Sequence, residues 1–483
     1  MSLIVKANQF LHHGHVKQAE QLYRQLLRQN PNDIDALWGL GKVGLTLDSY
    51  QGSYDIFSRC VELVSTVPQL WLSLAQACEK LRRFKELEKA LLQAYKIKHD
   101  YVPTLLALAT FYCQSNQLEN ANNYLNKILK IVPEHPQAFA LKVRIKSQTT
   151  INKYASNLLE KLSQPKCVFS ENEQILLHYA FADLFQGLGN VEQAYKHFQQ
   201  ANFKQKNTIN FTVADMKSYF TSLIETFSSE LLDSSLNSKQ SKTINLTPIF
   251  IVGQPRSGST LLESMLSAHS EISTAGELPF LAGDIAQGIE QITGQNFPEG
   301  CNHLSHDQCQ TLGQHYLSHM KTIAPNAKYI IDKMPANYQS IGLIKMLLPH
   351  AKIIHISRSV KDVTWSIFSN YFEANEPYFC SIDEIINYSK NYHEVMAHWH
   401  KVLPNFVHDL SYESLVNNPE EVLSKVLAFC GLSFQTACLN FSDRKGYIAT
   451  LSDVQLRSGI KTNQNKAWQA YEELLPENFR QLT

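Results

Sequence analysis

The sequence predicts a chain in two parts: an all-α superhelix of repeated helix pairs, then a three-layer α/β domain built on a parallel sheet. Three observations predict it. Small and large apolar residues recur every 34 positions in the first half, and a Ser/Asn/Lys-rich stretch follows at 228–248. Beyond it, β-branched runs such as Ile249–Val252, Tyr329–Ile331 and Lys352–Ile356 alternate with helical stretches, the pattern of a parallel sheet covered by helices. A chain of 483 residues also exceeds what one core usually organises.

In the first half, Ala7, Gly41, Ala75 and Ala109 are spaced by 34. So are Ala19, Ser53, Leu87 and Ala121, and so are Tyr23, Phe57, Leu91 and Leu125. Pro31 and Pro133 lie three periods apart. This is the tetratricopeptide period. Small residues let the two helices of a pair approach, the large residue fills the groove between them, and proline closes the pair. Ala182, Ala194 and Phe198 recover the same offsets later. Four repeats, an irregular helical pair over about 136–175 and a fifth repeat are therefore expected in residues 1–208. An ordinary amphipathic bundle has an apolar stripe but no reason to align these series. Stacked pairs build a superhelix with a concave face that binds an extended peptide or another protein. That is the partner expected here, and such a face carries no chemistry.

Residues 209–247 read as a linker helix and loop, and 248–483 as the α/β domain. Lys+Arg and Asp+Glu are equal at 44 each, which argues against a nucleic-acid coat or a polybasic membrane arm. The nine cysteines form no C-x-x-C pair, so a reducing compartment is expected rather than a disulfide scaffold or a cysteine zinc site. No apolar run approaches the roughly 20 residues that span a bilayer, and the polar start does not resemble a signal peptide. A cytoplasmic protein, with neither membrane nor nucleic-acid partner, is the expectation.

The stretch IFIVGQPRSGSTLLESML, 249–266, has the outline of a strand, a phosphate-binding loop and a helix. Gly253 and Gly258 permit close approach of backbone to ligand. The N–H groups of Ser257, Gly258, Ser259 and Thr260 converge at a helix N-terminus, where an anion is stabilised. Arg256 adds a planar fork suited to charged oxygens. The spacing is that of a Walker A loop, yet Ser259 stands where that loop has the lysine that reaches the terminal phosphates of a nucleoside triphosphate. Asp332, after the strand at 329–331, could imitate the magnesium-holding acid. A triphosphatase reading therefore predicts magnesium dependence and lacks its lysine.

Pro255-Arg-Ser-Gly-Ser-Thr-Leu261 resembles the 5′-phosphosulfate loop of sulfotransferases, P-[KR]-[ST]-G-[ST]-[ST]-[LW]. The resemblance implies 3′-phosphoadenosine 5′-phosphosulfate as sulfuryl donor and no requirement for a metal. It also implies a second site for the 3′-phosphate, a strand followed by arginine with a serine eight residues on; Arg358 and Ser366, after the strand at 352–356, match it. The stretches AGELPFL (275–281), IIDKMPANYQSIG (330–342) and DLSYESLVNNPEEV (409–422) continue the likeness, the last placing Tyr412 near the adenosine. The set looks most like bacterial tetratricopeptide-repeat sulfotransferases and, at a further remove, tyrosylprotein sulfotransferases. One element departs. Where the family carries S-x-G-x-W near the C-terminus, this chain has Gln464-Asn-Lys-Ala-Trp468. Trp468 and Arg457 fit, and Lys466 would replace the missing charge.

Sulfuryl transfer is an in-line displacement that needs a base for the acceptor hydroxyl and cations for the leaving phosphate oxygen. Candidate bases are Glu263, His269, Glu271 and Glu277. Glu263 reads as solvent-facing or as a structural pair, and His269 as a helix-end cap. Glu277 follows a short strand and a Gly276 turn that aims it back at the loop, and it sits 21 residues after Arg256, as in the glutamate-using branch that the chain resembles. Lys333 resembles the family lysine that assists the transferring group. The expected function is sulfuryl transfer to an acceptor hydroxyl, with protein tyrosine delivered by the repeats as one candidate. The rival is a repeat adaptor carrying an inactive sulfotransferase fold, a reading supported by the altered C-terminal element.

Overall fold

The computed structural model describes residues 2–482 except 48, 147, 165, 210–211, 237–245, 373–379 and 442–465. Contacts divide it into two compact units, Met1–Glu173 and the described residues from Gln174 on.

The first unit is a run of antiparallel helix pairs: α1 (Leu3–His12) with α2 (Val16–Gln29), α3 (Ile34–Thr46) with α4 (Tyr50–Leu63), α5 (Pro68–Lys80) with α6 (Phe84–Ile97), and α7 (Val102–Gln114) with α8 (Leu118–Ile131). The irregular α9 (Pro136–Arg144) and α10 (Lys153–Leu162) follow. The 34-residue series marks the helix contacts. Ala7, Ala19, Tyr23, Phe57, Ala109, Ala121 and Leu125 are wholly buried. A Cβ on Gly41 would fall 2.3 Å from the Phe57 ring, and Ser53 Oγ donates to the Gly41 carbonyl at 2.9 Å. Only a small residue lets α3 and α4 close to that distance. Three of the four pairs turn through a left-handed residue seven positions after the first small one: Gly14 (φ 77°), Arg82 (57°) and Asn116 (58°). Glycine takes this conformation without steric cost; the other two are held in it by the packing of the pair. Stacked repeats of this kind are typical protein–protein interaction modules.

The second unit begins with α11 (Glu171–Gly187) and α12 (Val191–Asn207), then α13 (Val213–Thr226) and α14 (Ser229–Leu236). The α/β succession runs β1 (Thr247–Gly253), α15 (Ser259–Leu266), β2 (Ile272–Gly276), α16 (Ala286–Thr293), α17 (His306–Ile323), β3 (Tyr329–Asp332), α18 (Ile341–Leu347), β4 (Lys352–Ser357), α19 (Val360–Phe368), α20 (Ile382–Val402), β5 (Val407–Ser411), α21 (Tyr412–Asn417) and α22 (Pro419–Cys430). The sheet order is β2-β3-β1-β4-β5, every pair parallel. Period-two alternation splits each strand between two cores. Phe250, Val252, Ile330 and Ile353 join Tyr316, Tyr338 and Trp399 on one face. Ile249, Ile251, Ile331 and Ile354 join Leu262, Leu266, Leu423 and Leu427 on the other. The three-layer parallel α/β domain that the sequence predicts is present.

Two stretches pack more intimately than their sequence suggests. Within 209–247, read as a linker helix and loop, α13 carries Met216, Phe220 and Leu223 at helical spacing, and with Phe227 and Leu232 these residues join the core beneath the sheet. Thr212 and Asp215 form a reciprocal capping box that starts α13. A Cβ on Gly342 would meet the Phe227 ring at 2.4 Å. The fifth repeat pair, α11–α12, belongs by contact to the second unit. Phe198, at the groove-filling position, lies 5.8 Å from Trp365 edge to face, and 6.5 Å from Phe368. Asn202 Nδ2 donates to the Phe368 carbonyl at 2.9 Å. The repeat pattern and the packing boundary therefore part company near residue 173. Among the described residues, no helix is long and apolar enough to cross a membrane.

Candidate functional site

The loop between β1 and α15 sits at the carboxyl end of the central strand, where ligands of open parallel sheets bind. Arg256 has φ 67° and Gly258 φ 103°, so successive N–H groups turn inward before α15 begins at Ser259. Both glycines are required by close approach. A Cβ on Gly253 would lie 2.5 Å from the Ile356 carbonyl of the adjacent strand, and one on Gly258 would lie 2.4 Å from the Tyr412 ring. Ser257, Ser259 and Thr260 are buried. Ser257 Oγ is wholly buried and has no hydrogen-bond partner among the described residues.

Two strands deliver two arginines to this loop. Arg256 Nε donates to Ser366 Oγ at 2.9 Å. Arg358, just past β4, donates from Nη1 to the Arg256 carbonyl at 3.3 Å and stacks on the Tyr412 ring at 4.5 Å. Tyr412 thus touches both Gly258 and Arg358. Burial pushes its phenol up, and the neighbouring Arg358 opposes that. Lys466 meets α19 through its backbone, its N–H donating to Asp362 Oδ1 at 2.6 Å. Trp468 lies under Lys361 at 5.1 Å. Gln464 and Arg457 lie outside the described residues.

Of the candidate acid–base groups, Glu263, Glu277 and Lys333 come together. Lys333, 1% exposed, is ion-paired with Glu277 and lies 3.8 Å from Glu263 Oε2. Glu277 is 45% exposed at its side chain, so its carboxylate reaches solvent while Lys333 does not. Glu263 accepts from Thr274 Oγ1 and is a structural pair. His269 is 1% exposed; the Glu271 N–H donates to its Nδ1 at 3.2 Å, leaving Nε2 to donate to the Ser433 carbonyl at 3.1 Å. Both ring nitrogens are engaged away from the loop. Glu271 pairs with Lys328 at 3.3 Å.

Sequence reasoning missed the groups behind the site. Gln254 is buried and donates to Ser389 Oγ of α20 at 2.8 Å, which anchors the loop from below; no local pattern announces a contact 135 residues apart. Asp332, considered above only as a magnesium ligand, is wholly buried and accepts from Tyr316 OH, from Asn337 Nδ2 at 3.1 Å and from the Leu278 N–H at 3.4 Å. Burial pushes its carboxyl up to about 7. It braces the Gly276–Leu278 turn that carries Glu277, and the Lys333 N–H closes that turn on the Gly276 carbonyl at 2.8 Å.

Residues 248–436 match the model of the sulfotransferase family. An uncharacterized protein of Aquifex aeolicus (strain VF5) is 30% identical over 308 residues, 61% of this chain and 40% of that protein. Protein-tyrosine sulfotransferase 2 of Gallus gallus is 24% identical over 211 residues, 41% of this chain and 54% of its own length. The chain thus spans about half or less of the length of these relatives. The sulfotransferase domain of the Synechococcus PCC 7002 olefin synthase superposes with TM-score 0.35 at 22% identity, covering 48% of this chain and 91% of its own. The chain carries a sulfotransferase-superfamily domain preceded by a tetratricopeptide-like helical region.

Proposed function

We propose that the protein transfers a sulfuryl group from 3′-phosphoadenosine 5′-phosphosulfate to an acceptor hydroxyl, protein tyrosine being the acceptor class that a repeat-bound peptide would present. One observation carries the reading: the buried, unpartnered Ser257 Oγ inside a loop that gathers Arg256 and Arg358 at the ends of adjacent strands. A buried hydroxyl without a partner costs about 1–3 kcal/mol, and a phosphate oxygen supplied by the donor would satisfy it. The donor set of hydroxyls, backbone N–H groups and guanidinium forks suits singly linked phosphates.

In this reading Ser257, Gly258, Ser259 and Thr260 hold the 5′-phosphosulfate, and Arg358, Ser366 and Tyr412 hold the 3′-phosphate and adenosine, with Lys466 closing over α19. Glu277 takes the acceptor proton as the acceptor oxygen forms its bond to sulfur. The bond from sulfur to the bridging phosphate oxygen breaks, and Arg256 and Lys333 balance the charge that grows on that oxygen. The partly exposed Glu277 faces where an acceptor enters, and the buried Lys333 stays behind it.

Calorimetric titration with adenosine 3′,5′-bisphosphate tests the proposal. Saturable binding without magnesium is expected. Absence of binding, together with magnesium-dependent hydrolysis of a nucleoside triphosphate, would overturn it.

A further inference from the structure

Toward the β5 edge of the sheet, three side chains from three elements of the second unit converge. His355 of β4 and Asp409 of β5 are register partners, so both leave the sheet on the same face, the one covered by α20. His355 Nδ1 lies 2.6 Å from Asp409 Oδ1. His400 Nε2, from the last turn of α20, lies 3.3 Å from the same oxygen. The ligand atoms of the three residues all lie within 4.8 Å of one another.

We propose that His355, His400 and Asp409 form a divalent transition-metal site, with Zn²⁺ the best-matched ion, that staples α20 to the outer strands of the sheet. Two imidazoles and one carboxylate are a ligand set that zinc accepts, with a fourth position left for water. Magnesium and calcium prefer sets made wholly of oxygen. The contact behind the site fits the same assignment. His355 is bonded through Nε2 to the hydroxyl of Tyr392, itself 1% exposed. A ligating histidine is oriented by such a partner on its far nitrogen. Without an ion, Nδ1–H donates to the Asp409 carboxylate and Nε2 accepts from the Tyr392 hydroxyl; in the other tautomer, with Nε2–H donating to Tyr392, the Nδ1 lone pair would point to where Asp409 and His400 meet. The near side is open: Asp409 is 51% and His400 42% exposed, whereas His355 is 8% exposed. An ion can therefore enter from solvent and find one ligand already fixed. Zinc–nitrogen and zinc–oxygen bonds are about 2.0–2.2 Å, so binding needs a small outward shift of the Asp409 carboxylate from its hydrogen bond, with the imidazole proton moved from Nδ1 to Nε2.

None of the three residues takes part in the transfer reaction proposed above, and the site stands whether or not that reaction does. The test uses the full chain, stripped with chelator and titrated with Zn²⁺, then with Co²⁺ as a spectroscopic substitute. The wild type is expected to bind one ion with a rise in Tm. The Co²⁺ spectrum should show d–d bands without the charge-transfer absorption of thiolate. His400→Ala and Asp409→Asn, both at exposed positions, should each weaken binding at least about tenfold and abolish the Tm rise, and Tyr392→Phe should weaken it about 10–100-fold. Absence of saturable binding would overturn the site. So would binding of equal strength in the wild type and both surface variants, or thiolate absorption, which would place the ion on cysteine.

Discussion

Arg256 Nε donates to Ser366 Oγ across 2.9 Å, which ties the loop after β1 to the helix after β4. Arg358, eight residues before Ser366, holds the Arg256 carbonyl from the same side. In the proposed reading the two phosphate sites are thus one mechanical unit, and a donor bound at one would order the other. Ser366, whatever its part in holding a phosphate, sets the direction of the Arg256 fork.

Arg358→Ala is expected to weaken adenosine 3′,5′-bisphosphate far more than adenosine 5′-phosphate, which lacks the 3′ group. A charge-assisted bond contributes roughly 1.5–3 kcal/mol, or about 10- to 150-fold in Kd. Calorimetry on both nucleotides decides it. An equal loss on both would mean that Arg358 acts only by steadying Arg256.

Phe198 fills a repeat-type groove yet packs on Trp365 and Phe368 of the second unit. Phe198→Ala should lower the unfolding free energy of that unit by about 3–5 kcal/mol, as for other fully buried phenylalanines, measured by urea titration. A fragment beginning at Gln174 should fold and bind the bisphosphate, while one beginning at 209 should aggregate. A well-folded 209 fragment with an unshifted urea midpoint would show that α11–α12 is dispensable.

That boundary shows where the sequence is legible and where it is not. The 34-residue spacing of Ala7, Gly41, Ala75 and Ala109 is a local property and locates the helix pairs directly. The alternation Ile249, Phe250, Ile251, Val252 does the same for a two-faced strand. Whether Phe198 meets another repeat or α19 depends on residues 167 and more positions away, and the period is silent on it. In the site, the loop from Pro255 to Leu261 is legible because glycine spacing and hydroxyls are dictated by what must approach the backbone. Asp332 with Tyr316, and Gln254 with Ser389, were not, because these pairings form in the interior between separate elements.

Asp332 should leave a pH signature in stability. Burial raises its carboxyl from 3.8 to about 7, so the folded chain holds the proton more tightly than the unfolded one. Its stabilising contribution is full below the unfolded value and is lost progressively as pH rises through about 7, beyond which it is constant. Asp332→Asn cannot titrate, so wild-type stability relative to the variant should fall between about pH 4 and 7 and then level off. Denaturant midpoints of the two proteins across that range are the measurement. Parallel curves would show that Asp332 ionises alike in both states and that its donors, not burial, dominate.

Glu277 and Lys333 make the sharpest prediction, because one ion pair must serve both acceptor and leaving group. Glu277→Gln keeps the size and the hydrogen-bonding reach toward Lys333 but cannot take a proton. Bisphosphate affinity should stay near wild type, since the glutamate is assigned to the acceptor. Turnover at saturating donor should fall about 10²–10⁴-fold, the usual contribution of acid–base catalysis. Lys333→Met should reduce turnover through the leaving oxygen and also release the Glu277 carboxylate, so the double variant should cost less than the sum of the two. His269→Ala is the control: its ring nitrogens are committed to Ser433 and Glu271, so it should lower Tm and leave turnover per folded molecule nearly intact. A dead His269→Ala beside an active Glu277→Gln would reverse the assignment of the base. Loss of bisphosphate binding in Glu277→Gln would instead make the carboxylate a brace for Lys333 and move the proton acceptor elsewhere in the cleft.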